Sequence, residues 1–352
     1  MQWWVHWGMQ YLLAKTPGGE LVHQLLQEKV GQLRNLEQGN QFDNAIKILG
    51  LASKHGGDLR GKRVVEFGTG WVPAIPVALA IAGCEIHTFD VSSLTKPEYL
   101  QRTLRAWEPR LQKLAEATQQ SICEIAERWE QLARHSDLES LCRATGGVAL
   151  APCDTTKLPD ESGTYDLAVS NLVFQCVPES LVIPVLRESA RLLKPSGLAV
   201  HRMHLTDEYT RNDPQRHDLD FLKLDRTTWD RWFNHRLKVQ NRWRAAQFIQ
   251  AFEEIGLTPV EVIQRCQQSD IDYVRSLNVA AEFQGRDELD LASIALTVTL
   301  QKPPVTASHP GLYRLLPVAE EGGLASDDPL RLEFEARGAN PAGDQPGLLR
   351  AV

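Results

Sequence analysis

Long apolar runs are missing from this chain. None approaches the roughly 18 residues that a membrane span needs, and the start lacks the basic stretch and small-residue cleavage site of an export signal. A cytoplasmic protein is the expectation. Excess basic charge is missing as well: 38 Lys plus Arg face 45 Asp plus Glu, a net charge of -7. That argues against a chain built to grip nucleic-acid phosphates, so no nucleic-acid partner is expected. The six cysteines include no CxxC pair, and no His cluster stands at metal-ligand spacing. Reduced thiols and no metal are expected. What is present is apolar material in quantity, 43% of 352 residues, enough for one large core or two modest ones.

The chain divides into three parts. Residues 1–56 read as an N-terminal helical segment, 57–302 as the main domain, and 303–352 as a tail. Residues 1–14, MQWWVHWGMQYLLA, are aromatic and too short to cross a bilayer. Such a helix can lie at a membrane interface, or the same face can cover a groove on the main domain. From Arg63 onward short apolar strands (RVVEF, EIHTFD, VALAP, YDLAVSN, GLAVHRMHL) alternate with helical stretches. This is the pattern of a doubly wound α/β fold with a mostly parallel sheet, and the final SIALTVTLQ follows without an obvious crossover helix, which suits an antiparallel last strand. Two stretches, a helical insertion at 100–147 and an irregular one at 206–243, leave from carboxyl-terminal strand ends, where open sheets place their ligand crevice. Both are expected to be lids. Residues 303–352 hold seven Pro and six Gly, a composition that predicts disorder.

The chemistry concentrates where strands end. In VVEFGTGWVP a strand closes on Glu66 and turns through Gly68, Thr69 and Gly70 into a helix. Glycine suits a tight turn that lets a ligand approach backbone N–H groups. Twenty residues after Gly70 the next strand ends in Asp90 and Val91, placed to accept a pair of ribose hydroxyls. The following strand ends near Asp154 and Thr155, and the one after that in Ser170 and Asn171. Either Asp could instead simply cap the helix after it.

In VVEFGTG, EIHTFDVS, APCDTTKLPDESGTYDLAVSNLVFQCVPES and LLKPSGLAVHR, spread over roughly residues 40–302, the sequence resembles the class I S-adenosylmethionine-dependent methyltransferases of the bacterial small-molecule or glycan type. The resemblance implies a seven-stranded Rossmann-like sheet and S-adenosyl-L-methionine as cofactor. It gives Glu66 the amino-acid end of that cofactor, Asp90 the ribose, Asp154 the adenine amino group, and the Ser170–Asn171 segment the methionine end. The sequence departs from the family at Val72, where many members have a third glycine, and at Gln175 and Cys176, where relatives often carry Glu-His. A nicotinamide-binding Rossmann oxidoreductase is the rival, disfavoured because Glu66 would repel a diphosphate and Pro73 stands where close approach is needed. A cofactor-binding scaffold without turnover is a third reading.

On the acceptor side, a small-molecule or sugar-like acceptor and O-methylation are expected. The fifth strand ends in HRMHLTDEY, making His204 the expected general base and Asp207 the group that orients its ring. The run ending QNRWR, with Trp229, Trp232, Asn241 and Arg242, would suit stacking on a sugar. Oligomeric state is left open.

Overall fold

The computed structural model describes residues 3–29, 32–210, 213, 215–304, 313–317 and 331–336. Two helices, α1 (Trp3–Lys15) and α2 (Gly19–Lys29), precede α3 (Gln41–Gly56). Then come β1 (Arg63–Phe67), α4 (Ala74–Ile81) and β2 (Glu85–Phe89), followed by the helical run α5 (Pro97–Trp107), α6 (Leu111–Thr118), α7 (Ile122–Leu132) and α8 (Leu138–Ala144). The chain continues through β3 (Val148–Leu150), β4 (Tyr165–Asn171), α9 (Glu179–Leu192), β5 (Leu193–His204), α10 (Arg226–Trp232) and α11 (Ala245–Glu254). Last come β6 (Thr258–Arg265), α12 (Gln268–Ser276), α13 (Glu288–Ala292), β7 (Ala295–Gln301), β8 (Tyr313–Pro317) and β9 (Arg331–Ala336).

The sheet order is β3-β2-β1-β4-β5-β7-β6-β9-β8. The first five strands are parallel, and β7 runs antiparallel between β5 and β6. The expected seven-stranded sheet with its antiparallel last strand is therefore present. It is extended by two strands that the composition of 303–352 did not foretell: β9 pairs with the edge of β6 and β8 with β9. An unpaired β6 edge would leave a row of backbone donors and acceptors open, and this pairing closes it. The rest of that tail lies outside the described residues.

Alternation along each strand divides two cores. Val64, Val169, Leu198 and Val200 face α3, α4 and α5–α7, packing with Phe42, Ile48, Val77 and Leu104. Val65, Ala168, Ala199 and Met203 face α9 and α11, packing with Leu186, Phe248 and Phe252. Strands buried on both faces explain why they read as near-continuous apolar runs.

The insertion at 100–147 forms a wall of the first core. Trp107, Leu114, Ile125 and Leu141 are buried in that core, so its apolar face is spent on α3 and α4. The 206–243 stretch joins residues 266–294 in a third core, here called the cap, in which Phe221, Leu222 and Trp229 pack with Val274, Phe283 and Leu291. Helix α1 lies on this cap. The Trp7 ring meets Phe233 at 6.1 Å and the Tyr11 ring meets Trp232 at 5.7 Å, while Arg236 Nε donates to the Ala14 carbonyl and its guanidinium pairs with Glu20 at 2.9 Å. Trp7 and Tyr11 are thus packed against the aromatic rings of Trp232 and Phe233. Among the described residues no helix is long and apolar enough to cross a membrane.

Candidate active site

At the carboxyl end of β1, Glu66 is buried, and its Oε2 accepts hydrogen bonds from Thr69 Oγ1 at 2.8 Å and Thr88 Oγ1 at 2.6 Å. Burial pushes its carboxyl up from 4.5 to about 7, against the pull of the two threonine hydroxyls. Both glycines of the turn have positive φ, +76° at Gly68 and +67° at Gly70. They differ in what surrounds them. A Cβ on Gly68 would stand 2.6 Å from Val173 Cγ2, whereas a Cβ on Gly70 would meet nothing within 4 Å.

Asp90 follows β2 and is nearly buried. Its Oδ2 accepts the Gly70 N–H at 2.8 Å and its Oδ1 the Ser92 N–H at 2.8 Å. Burial raises this carboxyl too, opposed by those N–H groups. Glu66, Thr69, Gly70, Thr88 and Asp90 thus form one connected set across two neighbouring strand ends. A cleft of about 260 Å³ opens beside it, bounded by Thr69, Gly70, Thr88 and Asp90 on one side and by Ser92–Thr95, Asp137–Glu139 and Ala149–Ala151 on the others.

Other expected residues are placed differently. Val91 is exposed next to Asp90. Asp154 is exposed, and its Oδ1 accepts from the Thr156 N–H at 2.9 Å and the Thr156 hydroxyl at 2.6 Å; it caps its own turn, and those bonds hold it below the usual carboxylate range. The cleft ends at Ala151, short of Asp154 and the partly buried Thr155. Ser170 is fully buried and bonded to His201 Nδ1 at 2.9 Å, with the His201 ring stacked on Phe252 at 5.5 Å. Burial lowers that imidazole to about 3 and keeps it neutral. Strand alternation turns Ser170 toward the second core and its neighbour Asn171 to the opposite face, the one Glu66 occupies.

His204 ends β5, partly buried. Asp207 does not orient it. The Asp207 carboxylate accepts the Tyr209 N–H at 2.8 Å, makes no hydrogen bond to His204, and is raised by burial to about 6. The QNRWR run is likewise spent on structure. Asn241 Nδ2 donates to the carbonyls of Phe174 and Val177, Arg242 pairs with Glu282, and the fully buried Arg244 donates to the carbonyls of Leu205, Asp290, Leu291 and Ser293. Trp229 is buried against Phe233. Asn241, Arg242 and Trp229 are thus engaged within the protein, whereas Trp232 is exposed.

The sequence pointed to neither Asp137–Glu139 nor Ser92–Thr95 in the cleft wall. Asp137 caps α8 by accepting the Ser140 N–H at 2.8 Å, a capping pattern visible in SDLES that says where a helix starts but not where it docks.

The donor set tests well against a nucleoside carrying a cationic amino-acid end. Each Asp90 oxygen has accepted one N–H and retains capacity for a ribose hydroxyl. Space is open over Gly70, and a buried carboxylate, Glu66, has no cationic partner among the described residues. A diphosphate fits poorly, because Pro73, the N-cap of α4, has no N–H, and the Gly70 N–H already serves Asp90.

Comparison with known proteins agrees. Residues 17–262 match the family model described as a methyltransferase domain. The chain belongs to that family and is a class I methyltransferase, an enzyme dependent on S-adenosylmethionine. Solved structures similar to it include an S-adenosylmethionine-dependent methyltransferase from Mesorhizobium loti, 17% identical, covering 76% of this chain and 99% of that one at a TM-score of 0.42. Another is the 1,6-didemethyltoxoflavin-N1-methyltransferase from Burkholderia thailandensis with bound S-adenosylhomocysteine, 13% identical over 82% and 91% at a TM-score of 0.40. A third is the magnesium protoporphyrin IX methyltransferase from Synechocystis, 11% identical over 80% and 99% at 0.42. No curated protein matches the chain.

Proposed function

We propose that the enzyme methylates an oxygen of a small-molecule acceptor, with Glu66, Thr69, Gly70 and Asp90 holding the cofactor and His204 taking the acceptor's proton. The observation that carries the cofactor half is the connected pair of buried carboxylates: Glu66 joined through Thr69 to the glycine turn, and Asp90 bonded to Gly70 of that same turn. Bound there, S-adenosylmethionine supplies a methyl carbon already activated by a positive sulfur.

The chain's own work is then binding, orientation and proton removal. Asp90 fixes the ribose, and an approaching ammonium favours the ionised form of Glu66, which burial alone leaves about half protonated near pH 7. Asn171 and His204 close β4 and β5 on the face that Glu66 shares, where an acceptor held at near-attack distance meets an imidazole able to take its proton. Asp154, Ser170 and Asp207 are assigned structural roles, on the bonds described above. The cap of residues 206–243 and 266–294 excludes water from that end.

Calorimetry with S-adenosylmethionine, its demethylated product and NAD tests the cofactor half. Micromolar binding of both sulfur ligands, about 8 kcal/mol, is expected; binding of NAD with indifference to the other two would overturn it. Incubation with labelled cofactor and a panel of hydroxylated small molecules tests the acceptor half, and label recovered on nitrogen or carbon instead of oxygen would correct it.

A further inference from the structure

The paired strands fix which side chains share one face of the sheet at its carboxyl-terminal rim. Glu66 aligns with Val169 of β4, Asn171 stands two residues farther along β4, and Asn171 aligns with Arg202 of β5. Arg202 in turn aligns with Thr297 of β7, and His204 follows two residues on. Side chains in register or two apart lie on one side of a sheet. Glu66, Asn171, Arg202 and His204 therefore occupy the same face at its carboxyl-terminal rim.

Arg202 is out of keeping with the other enclosed arginines. A guanidinium carries five N–H donors. Arg244 gives its donors to four carbonyls and Arg242 has Glu282, but Arg202 makes one bond, from Nη1 to Thr297 Oγ1 at 2.9 Å. Its Nε is shielded from solvent with no partner, and among the described residues it forms no ion pair with a carboxylate. The charge that bears on it is another guanidinium, Arg265, which together with burial lowers its proton affinity. In register beside it, the Asn171 Oδ1 is also shielded and without a partner. A partly buried cation with unspent donors is costly unless an anion arrives to meet it.

Resting on the function proposed above, we infer that Arg202 is the acceptor's anion-binding residue: it receives a carboxylate or phosphate of the acceptor, while Asn171 Oδ1 accepts from a neighbouring hydroxyl. The acceptor is a hydroxylated acid rather than a neutral sugar. A planar fork suits either oxyanion, and the adjoining acceptor atom selects against a molecule with no donor at that spacing.

The cofactor's own carboxylate is the competing source of negative charge, and the test separates the two. Binding of S-adenosylhomocysteine is measured by calorimetry on wild type, Arg202→Gln and Arg202→Lys. In the product-loaded wild type, the Arg202 Nε–Hε resonance, identified by its disappearance in Arg202→Gln, is followed while acetate or inorganic phosphate replaces chloride at constant ionic strength. The expected result is a saturable shift with at least one anion at millimolar concentration, and product affinity in Arg202→Gln within about twofold of wild type. That retained affinity also certifies that the variant is folded. No shift in a protein that binds the product overturns the inference. A loss of about tenfold or more in product affinity in Arg202→Gln, partly restored in Arg202→Lys, overturns it differently, by giving the guanidinium to the cofactor's carboxylate. Failure of wild type to bind the product at all strikes the proposed function itself.

Discussion

Glu66→Gln should make the ligand-free enzyme more stable and a worse cofactor binder, and the stability gain should depend on pH. Burial raises the folded-state carboxyl from 4.5 to about 7. The unfolded chain therefore releases this proton at lower pH than the folded one. Stability associated with Glu66 is fully present below about pH 4.5, is lost as pH rises to about 7, and stays lost above it. The full loss is on the order of 3 kcal/mol. Glutamine keeps the shape and an oxygen to accept from Thr69 and Thr88, but its NH2 must find an acceptor of its own, which takes back about 1 kcal/mol. A net gain of roughly 2 kcal/mol at pH 8, a few degrees in melting temperature for a chain of this size, is expected. At pH 4.5 the gain should vanish or reverse. The assay is thermal unfolding of both proteins from pH 4.5 to 8.5, with and without S-adenosylhomocysteine. In the presence of ligand the order should invert, because the wild-type carboxylate now has its cation. A melting difference that does not change with pH would refute the burial argument, and undiminished product binding by Glu66→Gln would remove this residue from the cofactor site.

Asp90→Ala should weaken cofactor binding by roughly 1–3 kcal/mol through loss of charge-assisted hydrogen bonds, read by calorimetry on a variant whose circular dichroism is unchanged. Gly68→Ala should destabilise by about 2 kcal/mol or more, since φ is +76° and the new Cβ stands 2.6 Å from Val173 Cγ2. Denaturant unfolding should show Gly68→Ala with Val173→Ala recovering the steric part of that loss but not the backbone part. His204→Ala should lower turnover by roughly 10²-fold with cofactor affinity nearly intact; turnover within a few-fold of the parent would make His204 structural.

The glycine turn and its two carboxylates were legible because their chemistry is local. Glu66, Gly68, Gly70 and Asp90 are tied together by hydrogen bonds across adjacent parallel strands, and parallel pairing brings successive strand ends to one rim whatever the loops do. Alternation, equally local, was the rule that the reading of Ser170–Asn171 left unused: two consecutive strand residues cannot both face one crevice, and Ser170 went to His201. Asp154 shows the limit from the other side. Its spacing fits a ligand contact and an Asx cap alike, and the Thr156 N–H and hydroxyl two residues away claimed its oxygen first. Asp137–Glu139 could not be placed at all, because they reach the cleft only by the docking of α8 beside β2 and β3, where Thr145 Oγ1 accepts the Ile86 N–H at 3.1 Å.

The arginines make the same point about function. In the sequence, Arg202, Arg242 and Arg244 are alike: single cations among apolar and aromatic neighbours, each able to read as a ligand contact. Aromatic rings beside Asn and Arg make QNRWR read as a sugar-stacking surface, yet its polar groups are also what closing a cap requires, since loop carbonyls buried by the cap must find donors. Arg244 meets that need at four carbonyls. Arg202 lies inside a strand, where the ladder has already paired the backbone, so no carbonyl is left over to consume its donors. A guanidinium rooted in a loop is thus drawn into the structure, whereas one at the end of a central strand keeps its donors for whatever enters the crevice.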